Sequence, residues 1–264
     1  MTVDTLKPNN ESRLRDLEHN VMLRFSLELK QRHRIDTEAG GVTRNHFAGT
    51  SLGAQDQVLA DYLLAANARF ALIEFKASAS EIGTEKVKKL RQALWKKISA
   101  HDDMLRRCLD MHYICWGTLD TLTVPGIESV QFEEGQQICQ YAPAVAKYMG
   151  PGPLLDAAEV YTTSEFLTDF LDSHLAGADA NRFRKYVDEL SVFAEGKKGS
   201  ADTIEGMVCV FIPATMTTLA RYAQVRFRGM RQLTLLLDLD GTGSRRKHSR
   251  EFDVGQDREK GFRM

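Results

Sequence analysis

The chain has no cysteine pair, no long apolar run and almost no net charge. Its four cysteines (Cys108, Cys115, Cys139 and Cys209) lie far apart, and none stands in a CxxC spacing. This excludes the regular spacings of structural zinc sites and disulfide scaffolds and gives no support to an iron–sulfur cluster, so buried reduced thiols are expected. No stretch approaches the ~20 apolar residues of a transmembrane helix. The longest candidates, MVCVFIPA and LTLLL, are strand-sized. The opening residues MTVDTLKPNNESR contain no apolar signal segment, so a cytoplasmic location with no membrane partner is expected. A net charge of −1 over 264 residues argues against a protein that coats nucleic acid by charge alone.

The positive charge that is present is concentrated. Residues 86–107 carry Lys86, Lys88, Lys89, Arg91, Lys96, Lys97, Arg106 and Arg107 against Asp102 and Asp103, a local net of +6. The tail 245–264 is net +3, which leaves about −10 for the rest. A solvated helix face explains the first cluster as readily as a binding surface does, when it is taken alone.

Hydrophobic periodicity predicts a long amphipathic helix over 11–34, with Leu14, Leu17, Val21, Phe25 and Leu29 at helical spacing. VTRNHF reads as a short strand. VLADYLLA and RFALIEFKA, joined around Asn67-Ala68, read as a β-hairpin. A second helix is expected over 84–100 with Val87, Leu90, Leu94 and Ile98 facing a core, and MHYICWGTL as a further strand. Gly-Pro-Gly-Pro at 150–153 marks a boundary between 1–150 and 151–240. Beyond it come helical segments near 162–174 and 179–194, then the strand-like runs MVCVFIPA and VRFRGMRQLTLLLD. Residues 241–264 are charged and poor in apolar residues, so disorder is expected there.

A bare Glu-x-Lys occurs roughly once by chance in a chain this long. The setting of Glu74-Phe75-Lys76 carries the information. Both charges stand in the apolar run ALIEFKAS, where burial is costly. Asp61 stands in the preceding apolar run. A hairpin symmetric about Asn67-Ala68 puts Asp61 opposite Glu74, and Lys76, two residues on, shares the face. A one-residue slip would scatter the three. Carboxylates suit Mg²⁺ or Mn²⁺, which lower the pKa of bound water and offset charge on phosphate. A neighbouring ammonium can orient water or stabilise the transition state.

Asp, a spacer, then hydrophobic-Glu-x-Lys on a hairpin flanked by helices resembles the PD-(D/E)xK nuclease superfamily, over roughly residues 11–120. The resemblance implies an α/β fold with a restriction-endonuclease-like mixed sheet flanked by helices, 1–150 forming the nuclease-like core and 151–240 a C-terminal α+β extension. It implies that Asp61 and Glu74 bind Mg²⁺ or Mn²⁺, with Lys76 the catalytic lysine. An additional acid comes from the first helix, Glu18 in preference to Glu28. Lys88, Lys89, Arg91, Gln92 and Lys96 would face the nucleic-acid backbone. Ala60 replaces the proline of the motif's name, and the tyrosine of a YxxxQ-like pair is missing near Gln92. The implied activity is hydrolysis of nucleic acid, DNA first, in phage defence, restriction or repair, as a homo-oligomer or beside an ATPase. A non-catalytic nucleic-acid-binding or scaffold role on the same fold is the alternative.

LTLLLDLDGTGS also resembles the first motif of haloacid-dehalogenase-type phosphatases, with Asp238 as nucleophile and Asp240 as acid/base. That motif opens its fold, whereas here only 24 residues follow Asp240. A strand ending in an Asp-Gly turn is the expected reading. His33, His101 and His112 have no metal-ligand spacing, and Trp95 and Trp116 read as core anchors.

Overall fold

The computed structural model describes residues 10–38, 46–52, 59–122, 130–192, 201–212, 216–219 and 221–237. Four-residue spacing drives the first element, α1 (Asn10–Glu38), in which Val21, Phe25 and Leu29 are fully buried. Strand β1 (His46–Ser51) follows, and the last two residues of the expected VTRNHF strand open it. Val42–Asn45 lie outside the described residues.

The hairpin forms as its pattern predicts: β2 (Tyr62–Ala66) pairs antiparallel with β3 (Arg69–Lys76), Tyr62 opposite Ile73 and Ala66 opposite Arg69. Asn67 and Ala68 both take positive φ, 50° and 60°, the twist that a two-residue hairpin turn needs. Asn67 tolerates this conformation, and its side-chain amide also donates to the Leu171 carbonyl at 2.9 Å.

The second helix is broken, unlike the expectation. A 3-10 stretch (Ala79–Val87) ends at Lys88, whose backbone is extended, and α2 (Lys89–Ala100) begins there. The change of period turns Val87 outward, 71% exposed, while Leu94 and Ile98 keep their core positions. Helix α3 (Asp102–Met111) leads into β4 (His112–Leu122), which runs parallel to β3. Next come β5 (Val130–Gln140), α4 (Tyr141–Met149) and the two-residue β6 (Tyr161–Thr162). Helix α5 (Thr163–Thr168) starts in a capping box of Thr162 and Glu165, and α6 (Ala180–Val192) follows.

After the Gly-Pro-Gly-Pro break the chain adds strands to both ends of the same sheet. β6 lies on β5, while β7 (Glu205–Ile212) pairs with β1 and β8 (Arg221–Arg228) with β7. Among the described residues the result is an α/β fold with a mixed eight-stranded sheet of order β6-β5-β4-β3-β2-β1-β7-β8. LTLLL, expected as strand, belongs to helix α7 (Gly229–Leu237). Gly229, at φ 78° and too close to the Asp202 backbone for a side chain, turns the chain out of β8. Met230, Leu233 and Leu237 then bury at helical spacing.

Both faces of the sheet are covered. Helices α1 and α5 pack on one side over Tyr62, Leu64, Ile73 and Phe75. On the other side α2, α3, α4, α6 and α7 pack over Leu63, Phe70, Leu72 and Ile114. All four cysteines are buried free thiols, and Trp95 and Trp116 are core residues, as expected. No helix among the described residues is long and apolar enough to cross a membrane.

Candidate active site

The hairpin register brings the predicted trio together. Asp61 immediately precedes β2, and its Oδ2 accepts a hydrogen bond from the Phe75 N–H at 2.6 Å. Glu74 and Lys76 alternate with Phe75, so both lie on the face covered by α2, α3, α4, α6 and α7. From the opposite face α1 sends Glu18 to the same point. Lys76 Nζ donates to the Phe75 carbonyl at 2.9 Å and stands 3.3 Å from Glu74 Oε1 and 3.5 Å from Glu18 Oε1. Glu28, the other acid considered on α1, lies ten residues along, about 15 Å away by helical rise. It lines a surface groove with Arg24, Leu27, Gln31 and Ser164.

Glu85 completes the cluster, and periodicity gives no direct sign of it. It is fully buried, with Oε1 3.2 Å from Lys76 Nζ and 2.7 Å from Lys88 Nζ, while its Oε2 accepts from the Tyr141 hydroxyl at 3.0 Å. Its only signal is the three-residue step from Ile82, the period of the 3-10 turn that carries both side chains inward. Lys88 also reaches Glu74 Oε1 at 2.5 Å.

Arg91 departs from its expected role. Instead of facing nucleic acid it is buried, donating to Glu74 Oε2 at 2.7 Å and to the Leu59 carbonyl at 2.9 Å. Position 91 shares the inward face of α2 with Leu94, Trp95 and Ile98, where a guanidinium persists because carboxylates meet it. Beneath it, His112 stacks on Tyr141 at 4.4 Å and shares a hydrogen bond with the Tyr186 hydroxyl. Burial lowers His112 to about 3, so it is neutral.

Lys89, Gln92 and Lys96 occupy the exposed face of α2. The Gln92 amide donates to the Lys86 carbonyl at 2.6 Å, which helps to close the turn into the helix.

Four carboxylates (Glu18, Asp61, Glu74, Glu85) thus face three cations (Lys76, Lys88, Arg91). Burial would raise Glu74, but Arg91, Lys76 and Lys88 outweigh it and hold its carboxyl well below the ordinary range. Burial likewise opposes the charge on Lys76, yet Glu74, Glu85 and Glu18 push it above the ordinary lysine range. Asp61 accommodates the mismatch: burial first, then the charge of Glu74, raise it to about 7. Burial also raises Glu18.

As the side chains lie, the acids converge on ammonium groups. Accordingly, no set of three or more His, Cys, Asp or Glu among the described residues encloses a position for a metal ion. The chemistry of the donors nonetheless suits a hard divalent ion. Glu85 Oε1 in particular is buried, within ion-pair distance of two lysines but without the alignment of a hydrogen bond to either. Asp238, Asp240 and the basic tail lie outside the described residues.

No protein-family model, no curated protein and no solved structure matches this chain.

Proposed function

We propose that this chain is a divalent-metal-dependent nuclease with a restriction-endonuclease-like core, acting on nucleic acid and on DNA in the first instance. The observation that carries this reading is the meeting of Asp61, Glu74 and Lys76 with Glu18 at the end of one hairpin. Glu74 and Lys76 are buried charges in an otherwise apolar strand, at a desolvation cost that packing does not require, and Asp61 stands beside them where the partner strand begins.

Glu74, Asp61 and Glu18 would hold Mg²⁺ or Mn²⁺, with Glu85 as an additional oxygen donor. When bound, the ion supplies an acidified water and offsets the charge growing on phosphate. Lys76, fixed by the Phe75 carbonyl and fully charged at neutral pH, orients that water and stabilises the negative charge. Lys89 and Lys96 offer their ammoniums to the phosphate backbone. A homo-oligomer or an ATPase partner, phage defence, restriction or repair, and a cytoplasmic setting belong to the same proposal.

The test is cleavage of plasmid, single-stranded DNA and RNA with Mg²⁺ or Mn²⁺ by wild type and Lys76→Met. Loss of about a hundredfold or more is expected in the variant, with folding checked by thermal melt. Cleavage unchanged in Lys76→Met overturns the assignment.

A second reading draws on one observation: every oxygen of Glu74 already meets a cation. A cluster neutralised in this way also suits a non-catalytic nucleic-acid-binding scaffold. Salt-dependent DNA binding without cleavage under any metal would favour it.

A further inference from the structure

Two ammonium groups share the same two oxygens. Lys76 approaches Glu74 Oε1 and Glu85 Oε1 from inside, at 3.3 and 3.2 Å, and its side chain is 3% exposed. Lys88 approaches them from outside, at 2.5 and 2.7 Å, and its side chain is 43% exposed. The inner ammonium is also anchored by the Phe75 carbonyl and Glu18. Among the described residues, the outer one pairs with the two glutamates alone.

Local structure offers no other reason for Lys88 to be there. It precedes the first turn of α2, where the helix dipole disfavours a cation, and its side chain makes no capping hydrogen bond. Its extended backbone separates the 3-10 stretch from α2, so a swing of its side chain out of the cluster would not disturb a helix interior. The two glutamate carboxylates are themselves buried, and the half-exposed Lys88 side chain lies on their solvent side.

We propose that the Lys88 ammonium is an exchangeable cation: it holds Glu74 and Glu85 until a divalent metal takes their oxygens, and metal loading releases it to the surface. This rests on the metal-dependent reading above and gives that site a gate. Exchange preserves charge compensation for the glutamates, so neither is stranded as a buried unpaired anion. The released ammonium then projects beside Lys89 at the start of α2, where a phosphate backbone can receive it. Metal and nucleic acid would therefore bind with positive coupling, each favouring the Lys88-out state.

The experiment uses the full chain and Mn²⁺ without nucleic acid. Binding is followed by electron paramagnetic resonance of free Mn²⁺, for wild type, Lys88→Met and Glu85→Gln. Lys88→Met should bind Mn²⁺ about tenfold more tightly or better, because the competent state is no longer a minor fraction. Glu85→Gln should bind more weakly than wild type. In unsubstituted protein, acylation of Lys88 by an amine-reactive reagent, read by peptide mass spectrometry, should accelerate on Mn²⁺ addition while that of Lys96 stays constant. That second measurement needs no variant to fold.

Mn²⁺ binding that is equally tight in Lys88→Met, with Lys88 acylation unchanged, overturns the exchange and leaves the nuclease reading standing. Absence of Mn²⁺ binding in both wild type and Lys88→Met overturns the exchange and the metal site together. Binding by Lys88→Met alone supports the exchange in its strongest form.

Discussion

On the α1 face of β3, Phe75 meets Phe25 and Tyr62 edge-on, with ring centroids 5.6 and 5.7 Å away. On the opposite face its two neighbours, Glu74 and Lys76, sit among three carboxylates and two further cations. Phe75, Glu74 and Lys76 are all buried, neighbours on a single strand. The aromatic layer gains by leaving water, at about 25 cal/mol per Å² of apolar surface. The ionic layer loses several kcal/mol per ion by roughly the same act, and recovers it only through its partners. Folding explains the first layer without help. It does not explain the second, and that asymmetry is the physical reason for giving the ionic layer a chemical task.

One substitution in each layer separates the two. Phe75→Ala should cost about 4 kcal/mol, the lost transfer energy plus a cavity that the sheet cannot close. It should show as a large fall in the denaturation midpoint, and no second-site change in the ionic layer should rescue it. Arg91→Met should cost about 3 kcal/mol, because Glu74 and Glu85 lose their guanidinium inside the protein. Here rescue is expected. Adding Glu74→Leu to Arg91→Met should recover more than half of the loss, and under the proposed nuclease reading no metal-dependent cleavage should remain. A double variant as unstable as the sum of its single changes would show that the ionic layer is held for folding after all.

The two layers were unequally legible in the sequence. Asp61, Glu74 and Lys76 could be brought together because a strand has a period of two and Asn67-Ala68 fixed the turn; one assumption about register placed all three. Glu18 came from the family resemblance, which adds an acid from the first helix; position in the apolar stripe did not separate it from Glu28. Glu85 was not legible, because it rides a 3-10 turn whose period matches neither template, and Arg91, at the border of the core-facing stripe, was given to nucleic acid since nothing local announces a buried carboxylate partner. LTLLL misled for a different reason: four leucines in five residues carry no clear periodicity, and only the turn at Gly229 and the spacing of Met230, Leu233 and Leu237 make it a helix. Val130–Gln140 offered no apolar run at all, yet it forms a long strand between β4 and β6.

A smaller effect tests the charge balance. Asp61 titrates near 7 in the folded chain against an ordinary 3.8. A carboxyl raised by folding holds its proton more tightly in the native state, so its contribution is complete below about pH 4 and is lost as pH climbs to 7. Glu74 has the opposite sign. Its lowered pKa contributes stability above its ordinary 4.5, and that is lost only below it. Between pH 4.5 and 7 Asp61 therefore works against His112, whose pKa, lowered by burial, contributes stability that is lost as pH falls below 6.5, so the Asp61 share is read by comparing variant with wild type. Asp61→Asn retains an acceptor for the Phe75 N–H and removes the titration. Its melting temperature should exceed that of wild type by a few degrees above pH 7 and converge with it near pH 4. Parallel curves across that window would remove Asp61 from the cluster's charge balance.

The mildest changes probe the outer edge of the ionic layer. Lys89 and Lys96 lie on the exposed face of α2, away from the buried glutamates. Replacing both with alanine should leave the melting temperature within about 2 °C of wild type, since neither side chain fills core volume or neutralises a buried charge. If they meet phosphates, the slope of log affinity against log salt for duplex DNA should fall by about 0.9 for each. The loss should be uniform across sequences, because backbone contacts position a duplex without reading it. Reduced affinity with an unchanged salt slope would put the contacts elsewhere. The basic face of α2 would then be a solvated surface, while the buried cluster keeps its separate tests.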